Sequence, residues 1–218
     1  MALLRFTLLG EGTSDDALLF IIQKVLELPE FGLLPAVDFY PIFVSPKDLD
    51  RDLDLSGRMR AAIEVAPCDL LFVHQDADRR DGDPRAAGIR ARAGGRDREE
   101  PIVIPVVPVR EMEAWLLLDE SAICRAVGVR RPSEPLRLPQ IHQVETISDP
   151  KQELERVLSR AIGGSARRRG RASDVSTRRI AESLGNISQL RRLPAFQAFE
   201  ADVRRVIEEQ GWPERLPG

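Results

Sequence analysis

Four short apolar runs punctuate the first half of the chain, and stretches with a helical period separate them. Leu3 to Leu9, Phe39 to Val44, Leu70 to Val73 and Ile102 to Val109 each read as a strand. Leu70-Leu71-Phe72-Val73 is apolar at four consecutive positions, which suits a strand covered on both faces of a parallel sheet. Pro41 inside the second run cannot donate to a ladder and so predicts an edge strand. Between the first two runs, Leu18, Leu19, Ile22, Val25 and Leu26 recur at helical spacing. They predict a helix from about Asp15 to Leu28, capped by Thr13 or Ser14 and stopped by Pro29. A second helix is predicted from Ser56, as its cap, to Ala66, with a helical piece around Arg85 to Arg92 and another helix from Arg110 to near Gly128. The alternation of strands and helices calls for an α/β fold with a mostly parallel, four-stranded, Rossmann-like sheet flanked by helices.

Beyond Val129 the strand pattern stops. Arg130 to Pro139 reads as a linker. Asp149-Pro150 opens a helix through Ile162, with proline at a favourable first position. Gly163-Gly164 ends it, and Arg167-Arg168-Arg169-Gly170-Arg171 forms a basic run on a loop. Ser173 is expected to cap a helix to about Leu184, and Ala195 to Gln210 forms a last amphipathic helix ended by Gly211. The chain thus divides into an α/β core at 1–128 and a helical, Arg-rich region at 129–218.

Composition narrows the class. Nothing approaches the roughly 20 apolar residues of a membrane span, and the first residues lack a signal-peptide layout, so a cytoplasmic protein is expected. Cys68 and Cys124 suit buried thiols rather than a disulfide framework or a zinc ribbon. The net charge of −3 conceals a division: residues 1–120 carry 14 Lys and Arg against 23 Asp and Glu, and residues 121–218 carry 18 against 12. One reading is an acidic half that holds a metal and a basic half that holds a polyanion; the other is simple segregation of surface charge. Lysine occurs only at Lys24, Lys47 and Lys151, and arginine, the better fork for phosphate, supplies the rest.

The apolar run 70–73 leads directly into Asp76 and Asp78. Their i, i+2 spacing puts both on one side of an extended chain, at the carboxyl edge where open α/β sheets keep ligands. Two carboxylates about 4 Å apart repel by roughly 4 kcal/mol at an effective dielectric near 20. A proton, a cationic side chain or a divalent metal must relieve that repulsion. Glu11 stands on the Gly10-Glu11-Gly12 turn after the first strand, and Glu111 and Glu113 follow the fourth, so three strand ends deliver acids to one rim. If both Glu111 and Glu113 are helical they lie roughly 200° apart, and only one faces the rim. Oxygen ligands of this kind select Mg²⁺ or Mn²⁺. Asp15 and Asp16 read as first-turn acids that the helix dipole favours, His74 faces the sheet interior, and Trp115 belongs to the core.

Gly10-Glu11-Gly12-Thr13-Ser14-Asp15, then a hydrophobic helix, then a strand ending in Asp76-Ala77-Asp78, resembles the TOPRIM domain of topoisomerases, primases and OLD-type nucleases. Val109-Arg110-Glu111-Met112-Glu113-Ala114-Trp115-Leu116-Leu117 and Asp149-Pro150-Lys151 resemble a family of small, stand-alone bacterial TOPRIM-like proteins considered defence-associated. The resemblance implies Glu11 as general acid/base or metal ligand and Asp76 and Asp78 as Mg²⁺ (or Mn²⁺) ligands. Glu113, preferred over Glu111, completes the set. Lys151, just after the Asp149-Pro150 cap, is read either as a phosphate-neutralising lysine or as a plain surface one. The resemblance further implies a Mg²⁺-dependent nuclease on DNA or RNA in anti-phage defence. The basic stretches with Arg79 and Arg80 and with Arg167, Arg168, Arg169 and Arg171 then read either as contacts to the nucleic-acid backbone or as solvated surface runs. Arg80 stands where topoisomerases carry a third acid, and Tyr40 is the one tyrosine, so strand-transfer chemistry is not expected. The alternative is a non-catalytic TOPRIM-like module that binds nucleic acid or a partner ATPase. A phosphatase of the haloacid dehalogenase kind also uses Asp-x-Asp, but on an early strand and with Thr or Val at the place of Arg80.

Overall fold

Alternation of side chains along each strand decides the architecture. The structure, a computed structural model, describes residues 2–77, 83–92, 100–132, 134–163 and 176–214. Strands β1 (Ala2–Leu9), β2 (Val37–Val44), β3 (Leu70–His74) and β4 (Ile102–Val106) form one sheet in the order β2-β1-β3-β4, with every pairing parallel. The helices are α1 (Leu18–Leu26), α2 (Leu55–Val65), α3 (Asp83–Arg92), α4 (Glu113–Leu116), α5 (Glu120–Ala126) and α6 (Ile141–Val144). After them come α7 (Pro150–Ile162), α8 (Thr177–Glu182) and α9 (Pro194–Gln210). The expected fold class is the observed one: an α/β protein with a four-stranded parallel sheet and a helical C-terminal region.

Leu4, Phe6 and Leu8 of β1 turn to one face with Leu70 and Phe72 of β3, and there meet residues of α1, α7, α8 and α9. Leu9, Leu71 and Val73 turn to the other face, against Met59 and Ala62 of α2 and Ile89 of α3. This period of two is what covers β3 on both sides and makes its sequence continuously apolar. The first face is thick with aromatics. Phe72 stands edge-on to Phe6 at 5.6 Å and to Phe199 at 6.1 Å, and Trp115 stands edge-on to Phe196 at 5.0 Å. α9 is therefore part of the core that the sheet builds, and the buried Asp202 on it also pairs with Arg90 of α3.

Some local expectations hold and others change. β2 lies at the edge, as Pro41 requires. α2 begins at Leu55 because Asp54, not Ser56, caps it by accepting the Gly57 amide. The segment 13–17 is a 3₁₀ turn with Gly12 as cap, and the α-helix proper starts at Leu18. The predicted helix from Arg110 to Gly128 is two helices, because Asp119 starts a new one by accepting the Ala122 amide. α7 keeps the expected Asp149 cap and Pro150 start. Ser176 caps α8, and the expected cap Ser173 lies outside the described residues. Cys68 and Cys124 are buried free thiols. Among the described residues no helix is long and apolar enough to cross a membrane.

Candidate functional site

Strand register assembles the rim. Leu9 pairs with Val73, so two further steps along each chain bring Glu11 level with Gln75, one residue from Asp76. The side chain completes the approach: Glu11 Oε2 accepts the Asp76 backbone amide at 2.8 Å. Gly10 earns its place in this turn, since a Cβ there would sit 2.8 Å from the Phe43 ring and 3.1 Å from Asp15 Cβ. Gly12 has no such crowding, its nearest neighbour being Asp15 Oδ1 at 3.6 Å.

Asp15 is more than a helix-start acid. Its Oδ2 accepts the backbone amides of Glu11 and Gly12, both at 2.8 Å, and so folds the turn. The same Oδ2 lies 2.9 Å from Nδ1 of His74. His74 is the last residue of β3 and is buried. Its other nitrogen, Nε2, is 3.2 Å from Oδ1 of Asp76, within ion-pair reach. That contact is not aligned as a hydrogen bond, and neither atom, both shielded from solvent, has another protein partner. Glu11, Asp15, His74 and Asp76 thereby close a ring that joins the turn after β1 to the end of β3.

The electrostatics follow from the ring. Burial by itself would lower the affinity of His74 for its proton, but Asp15 first and then Asp76 outweigh it and raise the pKa from 6.5 to about 9. Burial would raise the Asp15 carboxyl, yet the His74 contact and the Gly12 and Glu11 amides hold it below its usual value. The Asp15–His74 pair is thus ionic at neutral pH.

The fourth strand end reaches the same rim by an extension of the ladder. Gln75 donates to Val106, Ala77 bridges Val109, and Arg110 donates back to the Ala77 carbonyl at 2.6 Å. To do so Arg110 takes a left-handed backbone, φ 66°, a conformation that costs a non-glycine residue energy and recurs at functional sites. Glu111 consequently precedes α4 instead of lying on it, and the angular argument that separated Glu111 from Glu113 does not apply. Glu111 Oε2 accepts the Lys151 amide at 3.0 Å and so caps the first turn of α7. Glu113 is buried, and burial together with the negative charges of Glu111 and Asp76 pushes its carboxyl above the usual range, while Lys151 opposes them. The Lys151 side chain is exposed, close enough for its charge to be felt by Glu113.

Five sequence-predicted residues therefore gather at one rim: Glu11, Asp76, Glu111, Glu113 and Lys151. Asp78, Arg79, Arg80, Arg167, Arg168, Arg169 and Arg171 lie outside the described residues. Among the described residues no three His, Cys, Asp or Glu side chains are arranged to hold a metal ion. Sequence reasoning missed Asp15 and His74 as parts of the site, although a histidine ending an apolar strand beside Asp76 was the available signal. It also missed the brace from α8: Arg178 pairs with Asp16 at 3.1 Å, and Thr177 donates to the Ser14 carbonyl at 3.3 Å. Compared with known proteins, the chain matches no family model, no curated protein and no solved structure.

Proposed function

We propose that the protein is a Mg²⁺-dependent nuclease that hydrolyses a phosphodiester bond in DNA or RNA. One observation supports this reading most: Glu11 bonded to the Asp76 amide at 2.8 Å, at the carboxyl edge of a parallel sheet, with Glu113 near enough to feel the charge of Asp76. The order of Glu11 and Asp76 along the chain resembles that of the TOPRIM pattern. Glu11 and Asp76 would hold the ion, with Glu113 near and Asp78, outside the described residues, as the further ligand the pattern implies. The described acids alone do not form a cage, so the fit rests on what Asp78 adds. Mg²⁺ bound there would polarise a phosphoryl oxygen and favour ionisation of an attacking water. In this reading Glu11 accepts the water's proton and Lys151 offsets charge on the phosphate.

A second reading has its own observation. His74, its pKa raised to about 9 by Asp15 and Asp76, supplies a positive charge beside Asp76 without a metal. That favours a non-catalytic module that binds nucleic acid or a partner ATPase. Cleavage assays with Mg²⁺ and Mn²⁺ on single- and double-stranded DNA and RNA separate the two. The nuclease reading expects metal-dependent cleavage that Asp76→Ala abolishes. Absence of cleavage across the panel, with nucleic acid still bound, overturns it in favour of the module.

A further inference from the structure

We propose that Arg110 is a substrate-binding residue of the rim, its guanidinium taking a phosphate of the nucleic-acid backbone. The inference rests on the nucleic-acid reading above, and it needs no metal ion.

The backbone singles Arg110 out. Its own amide donates to the Ala77 carbonyl at 2.6 Å, and the next amide, that of Glu111, donates back to the Val109 carbonyl at 3.1 Å. A hydrogen bond closed over three residues, around a centre at φ 66°, is the γ-turn of positive φ, its rare and strained form. Glycine adopts that conformation without a clash, whereas a side chain there meets the neighbouring carbonyl. Strain retained at a rim of acids points to a task for the side chain.

Nothing within the described fold supplies that task. Among the described residues the half-buried Arg110 has no side-chain hydrogen bond and no ion pair, although the next residue is a glutamate. Glu111 turns instead to the Lys151 amide. Other arginines are committed to carboxylates: Arg5 to Asp69, Arg178 to Asp16 and Arg191 to Glu200. Arg110 is left for an anion from outside.

The charge of the rim says which anion has need of it. A phosphodiester arriving there meets the carboxylates of Glu11, Asp76 and Glu111, which repel it. The Glu111–Lys151 contact brings Arg110 and the exposed Lys151 to one stretch of that rim, two cations that offset the repulsion. A guanidinium also forks onto two phosphate oxygens, which the ammonium of Lys151 cannot do.

Binding of labelled single- and double-stranded DNA and RNA oligonucleotides to the full chain is followed by fluorescence anisotropy over a range of salt concentrations. It is measured in EDTA and again with Ca²⁺ in place of the chelator. Wild type is compared with Arg110→Gly, Arg110→Ala and Arg110→Lys, each checked by thermal melting. Arg110→Gly is expected to weaken binding by about 10- to 100-fold and to reduce the slope of log affinity against log salt by about one. Its melting temperature should rise, because the turn is relieved. Arg110→Ala should bind as weakly without that rise. Arg110→Lys, which keeps a long cationic side chain if the others do not fold, should keep the salt slope and lose part of the affinity. Wild-type affinity in the folded glycine and alanine variants, or binding lost only where the melting temperature falls, overturns the contact and leaves the nucleic-acid reading standing. No oligonucleotide bound by the wild type in either buffer overturns that reading, and the inference with it.

Discussion

Asp15 and His74 are 59 positions apart in the chain, and their side chains meet at 2.9 Å beneath the rim where Glu11 and Asp76 lie. This pair ties the turn after β1 to the end of β3. The turn that carries Glu11 therefore depends on a largely shielded pair.

The pair sets a dependence of stability on pH. Asp15 and Asp76 face His74, whose folded pKa of about 9 exceeds its ordinary 6.5. Below about 6.5 the ring is protonated in both folded and unfolded chains, and its stabilising contribution is fully present. Between 6.5 and 9 the unfolded chain loses the proton first, and stability falls; above 9 the contribution is gone. At about 1.4 kcal/mol per pKa unit the decline is about 3 kcal/mol at most. Urea denaturation of the metal-free protein from pH 6 to 10 should show this decline, and His74→Gln should flatten it.

Glu113 also loses stability as pH rises, but because the fold favours its neutral form. Its carboxyl is raised by burial and by Glu111 and Asp76, so its ionised form opposes folding at neutral pH when no cation is bound. Glu113→Gln is expected to raise the melting temperature of the metal-free protein at pH 7.5 and to lose that advantage at pH 4. An unchanged melting temperature at both would show that Glu113 is not strained by its neighbours.

Glu111 has a structural task that a metal-ligand assignment alone would overlook. It accepts the Lys151 amide at the start of α7. Glu111→Ala should cost about 1 kcal/mol, the typical loss of a helix cap, while Glu111→Gln keeps an acceptor and should cost less. Chemical denaturation of the two variants measures the difference.

Phe199 carries a test of the packing. It lies on α9 and touches Phe72 of β3, with Trp115 and Phe196 around it. Phe199→Ala should destabilise by about 3–5 kcal/mol, the range for truncating a buried aromatic. A loss below about 1 kcal/mol would place α9 outside the cooperative core.

Much of the fold could be read from residues with local consequences. Four consecutive apolar residues at 70–73 marked a strand covered on both faces, Pro41 marked an edge, and Asp149-Pro150 marked a helix start. The meeting of Glu11 with the Asp76 backbone also followed, because parallel strands deliver their carboxyl ends to one side. What escaped depended on contacts across the chain or on an unfavourable backbone. Nothing near Asp15 announces a partner 59 residues away, and the dipole of the following helix accounts for an acid there without one. Arg110 gives no local sign of the left-handed turn that takes Glu111 off the helix, since glycine, not arginine, is the usual occupant of that conformation. The cap at Asp54 in place of Ser56 escaped for a simpler reason: either polar residue can accept a first-turn amide.

The aromatic cluster has a practical bearing on handling the protein. Because Phe72 and Trp115 are sealed by side chains from residues 196 and 199, an excised 1–128 fragment would present that apolar surface to water. Such a fragment is a poor cassette for grafting, and its aggregation would say nothing about chemistry at the acidic rim. Fusions and deletions that retain α9 keep the seal.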